Sequence, residues 1–188
     1  MSKAENNPAL NKQRGMFGGT MVFRQVNGET IISARPKKRD KPTEHQLKTK
    51  GRFLKAVEYA RSQMAIPENK ALYQKAINRK IPNAYTAALK DFLNAPVVAQ
   101  IDTTEYTGQV GSILHFRISD DFEVVSVRVE IFDSLGFSLE SGQAKAWDLQ
   151  GDGWEYNATM INTKVAGSRI VVTAKDRPGN TTAREHQM

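Results

Sequence analysis

Three aspartates in turn-like segments are the residues of this chain whose chemistry is most readily defined. Asp120 and Asp121 are adjacent and precede a valine-rich run, and Asp176 begins the segment Asp-Arg-Pro-Gly-Asn. Carboxylate oxygens bind calcium when several of them meet at one place. Aspartate in a turn more commonly accepts hydrogen bonds from the backbone, and no calcium-loop motif accompanies these residues. We therefore predict turn aspartates, with calcium binding as the alternative, and no metal or other cofactor.

Residues for nucleophilic catalysis do not form a pattern. The chain has three histidines, His45, His115 and His186, and none stands near a patterned serine or carboxylate. The glycines of segment 15–19 lack the flanking strand and helix of a phosphate-binding loop. There is no cysteine, which excludes disulfides and thiolate metal sites. We predict that the protein has no catalytic residue and is not an enzyme.

Positive charge is concentrated in the N-terminal half. Residues 1–95 contain 19 Lys and Arg against 7 Asp and Glu, whereas residues 96–188 contain 8 against 13, and the two halves add to the net charge of +7. Pro36 and Pro42 keep the most basic segment extended, as a short arm suited to phosphates. The residues predicted to engage nucleic acid or another polyanion are Arg35, Lys37, Lys38, Arg39, Lys41, Lys48, Arg52 and Lys55. The alternatives are a lysine-rich surface that is only solvated and a contact face for an acidic protein.

Membrane insertion and export are not indicated. No apolar run approaches the roughly 20 residues that a membrane span requires. The first 14 residues are polar and lack the apolar core of an export signal. We predict no membrane partner, and a location in the cytoplasm or within an assembled particle.

The N-terminal residues predict a tail followed by a hairpin. Residues 1–19 are polar and glycine-bearing, which is typical of a flexible tail. Asn27-Gly28 is the pair best suited to a type I′ turn, so we predict a hairpin over residues 21–33 with Phe23 opposite Ile32. A two-stranded hairpin is only marginally stable in water, and this one is expected to lean on another element or a partner.

Three short amphipathic helices are predicted after the arm, completing a basic domain over residues 20–95. The first begins at Thr43 with a capping-box pattern, and Pro67 and Pro82 mark the starts of the other two. On a helical projection of the first helix, basic side chains lie opposite an apolar side formed by Phe53, Leu54, Val57, Ala60 and Met64.

Residues 96–188 predict a separate antiparallel β-sandwich. Val125, Val127, Val129 and Ile131 alternate with polar residues, and this period of two is what a half-buried strand requires. About seven such strands follow one another with turn signals between them, which is typical of an immunoglobulin-like sandwich. The same alternation places Trp154 in the core and His115 on the outside, and Trp147, beside a polar turn, is a candidate exposed contact. The overall expectation is an α+β fold.

The C-terminal half resembles bacterial immunoglobulin-like modules. The resemblance is carried by Asp120-Asp121, by Trp154-Glu155-Tyr156 and by the run from Val172 to Asn180, which matches the Ala-x-Asp-x-x-Gly-Asn-x-Thr ending of those modules. It implies a sandwich fold and no particular function, because such modules serve as spacers, adhesins, virion appendages and enzyme accessories. The N-terminal half resembles the leading part of an uncharacterised bacterial protein family.

Two functions from different classes follow. The first is a non-enzymatic adaptor, in which the basic region engages nucleic acid or another polyanion and the sandwich forms protein contacts. The second is a structural component of a virion or a secretion-type particle, in which the hairpin and sandwich form subunit contacts. The adaptor predicts binding that falls steeply with salt, whereas the structural component predicts self-association.

Overall fold

The computed structural model describes residues 2–3, 13–26, 28–36, 41–147 and 151–188. These residues form a mixed α+β structure in which helices lie between strands in chain order. The strands are β1 Ser2–Lys3, β2 Gly15–Phe17, β3 Met21–Val26, β4 Glu29–Ala34, β5 Val97–Asp102, β6 Ile113–Ser119, β7 Val124–Phe132, β8 Ser138–Gln143, β9 Lys145–Ala146, β10 Gly153–Asn157, β11 Arg169–Asp176 and β12 Thr181–Gln187. The helices are α1 Glu44–Ala65, α2 Pro67–Gln74 and α3 Ala84–Leu93.

The chain divides into two compact units, residues 1–47 and residues 48–188. The first unit contains one antiparallel sheet with the strand order β1-β4-β3-β2. Phe23 lies opposite Ile32, the pairing expected from a turn at Asn27-Gly28, although Asn27 itself lies outside the described residues. Strand β2 falls within the stretch predicted to be a flexible tail, so the hairpin is extended into a sheet.

The helices begin where the capping signals predict. The backbone N–H of Gln46 donates to Oγ1 of Thr43 over 3.3 Å, and the backbone N–H of Thr43 donates to Oε1 of Gln46 over 3.0 Å, which is a complete capping box. Pro67 opens α2. At α3, Oδ1 of Asn83 accepts from the backbone N–H of Thr86 over 2.8 Å.

The predicted faces of α1 differ from the observed ones. Ala56 and Ala60 are its buried residues, whereas Leu54, which was expected on the apolar side, is 52% exposed. Arg52 precedes Ala56 by one turn, and it therefore lies beside the buried row. The prediction that Arg52 lies opposite the packed face is wrong, because small alanine side chains form the packing surface of this helix.

The second unit contains two four-stranded antiparallel sheets in a sandwich-like arrangement. Their strand orders are β5-β6-β10-β9 and β12-β11-β7-β8. Leu114, Phe116 and Ile118 face inward from β6, and Trp154, at 8% exposure, belongs to the same core. His115 lies on the outward side between them, in agreement with the predicted alternation.

The helices and the sandwich share this second unit, so the boundary expected at residue 96 lies inside it. The ring of Tyr73 on α2 packs against that of Phe122 in the β6–β7 loop, with 4.4 Å between the ring centroids. Phe122 thus joins a small helical core whose buried members are Ala60, Tyr73, Ile81, Ala84, Ala87 and Ala88. Across the described residues, no helix combines the length and the apolarity that crossing a membrane requires.

Candidate functional site

The residues predicted to bind a polyanion are placed in three groups. Lys37, Lys38 and Arg39 lie outside the described residues. Arg35 and Lys41 are exposed in the first unit, and Lys48, Arg52 and Lys55 are exposed on α1. The Arg52 guanidinium donates to the backbone carbonyl of Leu93 over 2.6 Å, so this side chain binds the C-terminal end of α3.

Further basic residues around α2 were not predicted from the sequence. The segment from Lys70 to Lys80 carries four basic side chains, all of them exposed: Lys70, Lys75, Arg79 and Lys80. Their spacing in the sequence shows no charge run, so no local pattern marks them as a basic surface. Within the described part of the chain, none of the four forms an ion pair.

The best-defined polar site is a cluster of three carboxylates where α3 meets one end of the sandwich. Asp91 lies on α3, Asp120 in the loop after β6, and Asp176 at the end of β11. One carboxylate oxygen from each residue lies within 4.8 Å of the other two. Asp91 is 0% exposed and Asp176 is 1% exposed. The fold thus collects three acidic groups in a region with little solvent.

The two oxygens of each carboxylate differ in their partners. Oδ2 of Asp91 accepts from the Tyr73 hydroxyl over 2.5 Å, and Oδ2 of Asp120 accepts from two backbone N–H groups of the loop, each over 3.1 Å. Oδ1 of Asp91 and Oδ1 of Asp120 are both buried and have no hydrogen-bond partner among the described residues. Asp176 is the exception, because its two oxygens accept from Gly179 and Asn180.

Asn180 links the cluster to the C-terminal end of α3. Its side-chain amide donates to the backbone carbonyls of Asp91, Phe92 and Asn94 over 3.1–3.3 Å and to Oδ2 of Asp176 over 2.7 Å. The carbonyls at the end of a helix have no partner within the helix, and the two N–H groups of this amide are shared between them and Asp176. Gly179 precedes it with a φ of 97°, a backbone conformation that glycine adopts without strain.

Asp121 takes no part in the cluster, so the set of Asp120, Asp121 and Asp176 considered from the sequence is wrong in one member. Its carboxylate accepts from Lys90 Nζ over 2.6 Å and from the side-chain amide of Asn94. Burial acts to raise the pKa of Asp121, but these two donors outweigh it and hold the pKa below its ordinary value. Adjacent residues in a turn point in different directions, so Asp120 faces Asp91 whereas Asp121 faces Lys90 and Asn94.

The surroundings of Asp91 favour its protonated form. Burial raises the pKa of Asp91 to about 7; the charges of Asp120 and Asp176 add to the increase, while the hydrogen bond from Tyr73 opposes it. Burial likewise raises the pKa of Asp176. Burial and the hydrogen bond to Asp91 raise the pKa of Tyr73 above its ordinary value. The cluster therefore holds acidic groups that a proton or a cation would stabilise.

Asp91 was missed because it stands in a helix rather than in a turn. The signal that could have found it is its spacing, since Ala84, Ala87, Ala88 and Asp91 recur at the interval of a buried helical face. An acidic residue on such a face must be paired, hydrogen-bonded or neutralised.

A second feature is a group of exposed apolar side chains at the opposite end of the sandwich. β6 and β11 begin there and β7 and β10 end there, since Ile113 pairs with Asn157 and Phe132 with Arg169. The backbone N–H of Gly111 donates to the carbonyl of Ala158 over 2.7 Å, which ties two of the loops together. We call this group the apolar end; its members are between 54% and 80% exposed and are Val110, Leu135, Phe137, Met160 and Ile161.

Comparisons with known proteins identify no relative. A scan against protein-family models gave no match, and a search of curated proteins gave none either. Among solved structures, the crystal structure of CopC from Methylosinus trichosporium OB3b matches at 14% sequence identity, over 48% of this chain and 88% of that chain, with a TM-score of 0.37. A similarity of this size supports no statement about fold or function.

Proposed function

We propose that the protein is a non-enzymatic adaptor whose basic N-terminal region engages nucleic acid or another polyanion and whose sandwich forms protein contacts. The observation that supports the polyanion partner is a difference in ion pairing between the basic residues of the sandwich and those of the helical segment. All eight basic residues in 96–188 are described by the structure, and four of them form ion pairs with other described residues, namely Arg117, Arg128, Arg169 and Arg177.

Most basic residues of the helical segment, by contrast, form no ion pair with another described residue. Among the described residues, seven exposed basic side chains of this segment form no ion pair: Lys50, Lys55, Arg61, Lys70, Lys75, Arg79 and Lys80. Positive charge that is not neutralised within the protein attracts polyanions, and it releases counterions from nucleic acid on binding. This distribution supports a polyanion partner for the basic region.

The test is a salt titration with a fluorescent mixed-sequence duplex and a fluorescent single strand, read by anisotropy. The variant carries Lys37→Gln, Lys38→Gln and Arg39→Gln in the basic arm. Each phosphate contact contributes about 0.7–0.9 to the log–log salt slope, so we expect the slope to decrease by about 2–3 and the affinity to fall alike for all sequences. A second variant with Lys70→Gln, Lys75→Gln and Lys80→Gln measures the contribution of the helical segment in the same way.

A matched control removes the same charge from the sandwich. Lys145, Lys164 and Lys175 are exposed, and they form no ion pair within the described ranges. Their triple replacement by Gln should leave the salt slope unchanged. The polyanion proposal fails when the wild type binds neither oligonucleotide above background at low salt, or when the control variant lowers the slope as much as the arm variant.

The apolar end is the feature that supports the second part of the proposal, namely that the sandwich forms protein contacts. Large exposed apolar side chains grouped at one end of a domain are typical of an interaction site. The three loops that form it, residues 103–112, 133–137 and 158–168, contain only three charged residues, Glu105, Asp133 and Lys164. The partner that fits is a protein with an apolar, weakly charged face.

The structural-component function is a second candidate, favoured by the sheet of the first unit. Met16, Phe17 and Met21 are 41–66% exposed, and together with Phe23 and Ile32 they line a groove of about 460 Å³. Among the described residues of this unit, only Phe23 and Thr30 are buried. A single sheet that buries so little apolar surface requires a covering partner, and in this candidate function the partner is a second copy of the chain.

Light scattering during size-exclusion chromatography at two protein concentrations distinguishes the two functions. Self-association that increases with concentration and is lost in Phe17→Asp supports the structural component. The same loss in Phe137→Asp assigns the subunit contact to the apolar end instead. If the wild-type chain stays monomeric at both concentrations, the structural-component function is excluded. The apolar end would then bind a different protein.

We also propose that the sandwich is immunoglobulin-like. Numbered from β5 as the first strand, its two sheets have the orders 1-2-6-5 and 8-7-3-4. Immunoglobulin domains place their first, second, fifth and fourth lettered strands in one sheet and the remainder in the other. With β8 counted as an added edge strand, the observed order supports this assignment.

A further inference from the structure

The carboxylate cluster contains two buried oxygens whose partner is not supplied by the protein. Oδ1 of Asp91 and Oδ1 of Asp120 have no hydrogen-bond donor among the described residues, although the second oxygen of each residue is occupied. Asp91 is 0% exposed, so its free oxygen is not in direct contact with bulk solvent. Buried polar atoms without partners are rare in folded proteins, and each one indicates a missing water, ion or proton.

The charges around the cluster leave its negative charge without compensation. No Lys or Arg within the described residues forms an ion pair with Asp91, Asp120 or Asp176. The nearest guanidinium group on the same turn, that of Arg177, bonds Glu123 over 3.2 Å and the side-chain oxygen of Asn69 over 3.3 Å. Lys90, on the same helix as Asp91, bonds Asp121 instead. Three acidic groups this close together repel one another when no cation lies between them, and two of them, Asp91 and Asp176, are buried.

We infer that Asp91, Asp120 and Asp176 form a binding site for a divalent cation, and that the cation is calcium. All three ligands are carboxylate oxygens, which hard cations prefer. One carboxylate oxygen from each residue lies within 4.8 Å of the other two, which is compatible with a single ion bound to all three over about 2.3–2.6 Å, the bond length of calcium. Magnesium demands a strict octahedron and keeps several of its waters, so it is usually bound by only one or two carboxylates.

The surrounding structure provides both rigidity and access. The hydrogen bonds from Tyr73 to Asp91 and from Gly179 and Asn180 to Asp176 orient two ligands, which is the role that outer partners play in metal sites. Asp120 also lines an open groove beside the sandwich, with the acidic residues Glu123 and Asp152 on its walls. The cluster therefore borders this groove through Asp120, the member of the three that is not fully buried.

The test uses the full chain, freed of metal with a chelator and then dialysed at pH 8. Calcium at ten times its dissociation constant should raise the thermal midpoint of the wild type by about 3–5 °C. Terbium, which shares the oxygen preference of calcium, should show luminescence sensitised by the nearby tyrosines and displaced by calcium. Asp91→Asn should lose both signals, because a neutral amide replaces a charged ligand while it keeps its size and its hydrogen bond with Tyr73.

Asp121→Asn is the matched control, since it removes a carboxylate that is next to Asp120 in the chain but lies outside the site. The Asp121 carboxylate bonds Lys90 and Asn94 instead. It should keep the calcium-dependent increase and the terbium signal. Asp120→Asn, whose side-chain oxygen can still accept from the loop, provides a second site variant should Asp91→Asn fail to fold. A wild type that shows no calcium-dependent increase, or an Asp91→Asn variant that keeps it, overturns the proposal. If calcium does not stabilise the wild type and Asp91→Asn is more stable than the wild type, a proton shared between Oδ1 of Asp91 and Oδ1 of Asp120 would explain why neither oxygen has another partner.

Discussion

The hydroxyl group of Tyr73 donates a hydrogen bond to Oδ2 of the fully buried Asp91, with 2.5 Å between the two oxygens. The Tyr73 hydroxyl also bonds that of Tyr59 over 2.8 Å. Tyr59, Tyr73 and Asp91 lie on α1, α2 and α3, so one chain of hydrogen bonds connects the three helices. It ends at the carboxylate cluster on the sandwich, which makes it part of the joint between the helices and the sheets.

Tyr73→Phe should destabilise the protein by about 1–3 kcal/mol, because it leaves a buried carboxylate oxygen without its donor and removes no apolar contact. The measurement is the midpoint of urea unfolding followed by circular dichroism. Tyr85→Phe is the control, since Tyr85 is half-buried beside the same helical core and forms no side-chain hydrogen bond within the described residues. Equal effects of the two changes would contradict the role assigned to the Tyr73 hydroxyl.

The stability of the metal-free protein should fall as the pH rises from about 4 through 7. Burial raises the pKa of Asp91 to about 7, whereas an unfolded aspartate has a pKa of about 3.9. Between these values the folded state holds a proton that the unfolded state has lost, so raising the pH favours unfolding. For Asp91 alone, the expected loss between pH 5 and pH 8 is roughly 2–3 kcal/mol.

Asp91→Asn isolates this contribution, because the neighbouring acidic groups Asp120 and Asp176 and the hydroxyl of Tyr73 remain in place. Urea midpoints at pH 5 and pH 8 in the presence of a chelator should converge in the variant. Identical pH dependence in the wild type and the variant would show that Asp91 binds no additional proton in the folded state.

Trp154→Ala should destabilise the protein by about 3–5 kcal/mol, since its ring is 8% exposed and belongs to the core between the sheets. His115→Ala should be nearly neutral. The His115 ring lies on the outer face of β6 and touches the Trp147 ring at its edge, with 5.6 Å between centroids. Thermal unfolding compares the two variants, and equal sensitivity would indicate that the register of β6 and β10 is shifted by one residue.

Limited proteolysis should leave a protected fragment that begins near residue 48. The change from helical to strand periodicity would by itself predict a fragment beginning near Pro96. The packing of Tyr73 against Phe122, the bonds of Asn180 to α3 and the ion pair of Lys90 with Asp121 join the helices to the sandwich within one unit. Mass spectrometry of the fragment decides between the two starting points.

The strands and helices were largely predictable because their signals are local. A period of two marks β7, although Val125, which was placed in the buried row with Val127, Val129 and Ile131, is 53% exposed. The pattern at Thr43 marks the start of α1. These signals depend on which side chains can be buried together along one short element. They place Trp154 inside and His115 outside without any knowledge of the neighbouring strands.

The sequence by itself determined the strand periods, the helix starts and the turn chemistry of Asp176, whose oxygens accept from Gly179 and Asn180. Only the tertiary structure decided that Asp91 meets Asp120 and Asp176, and that Arg52 binds the end of α3 instead of facing away from the packed helices. The reason is physical: Asp91 and Asp176 are 85 positions apart in the chain, and no local pattern specifies which end of a sheet a distant helix packs against. The docking of Phe122 on Tyr73 and the bonds from Asn180 to the end of α3 fix that choice, and with it the composition of the site.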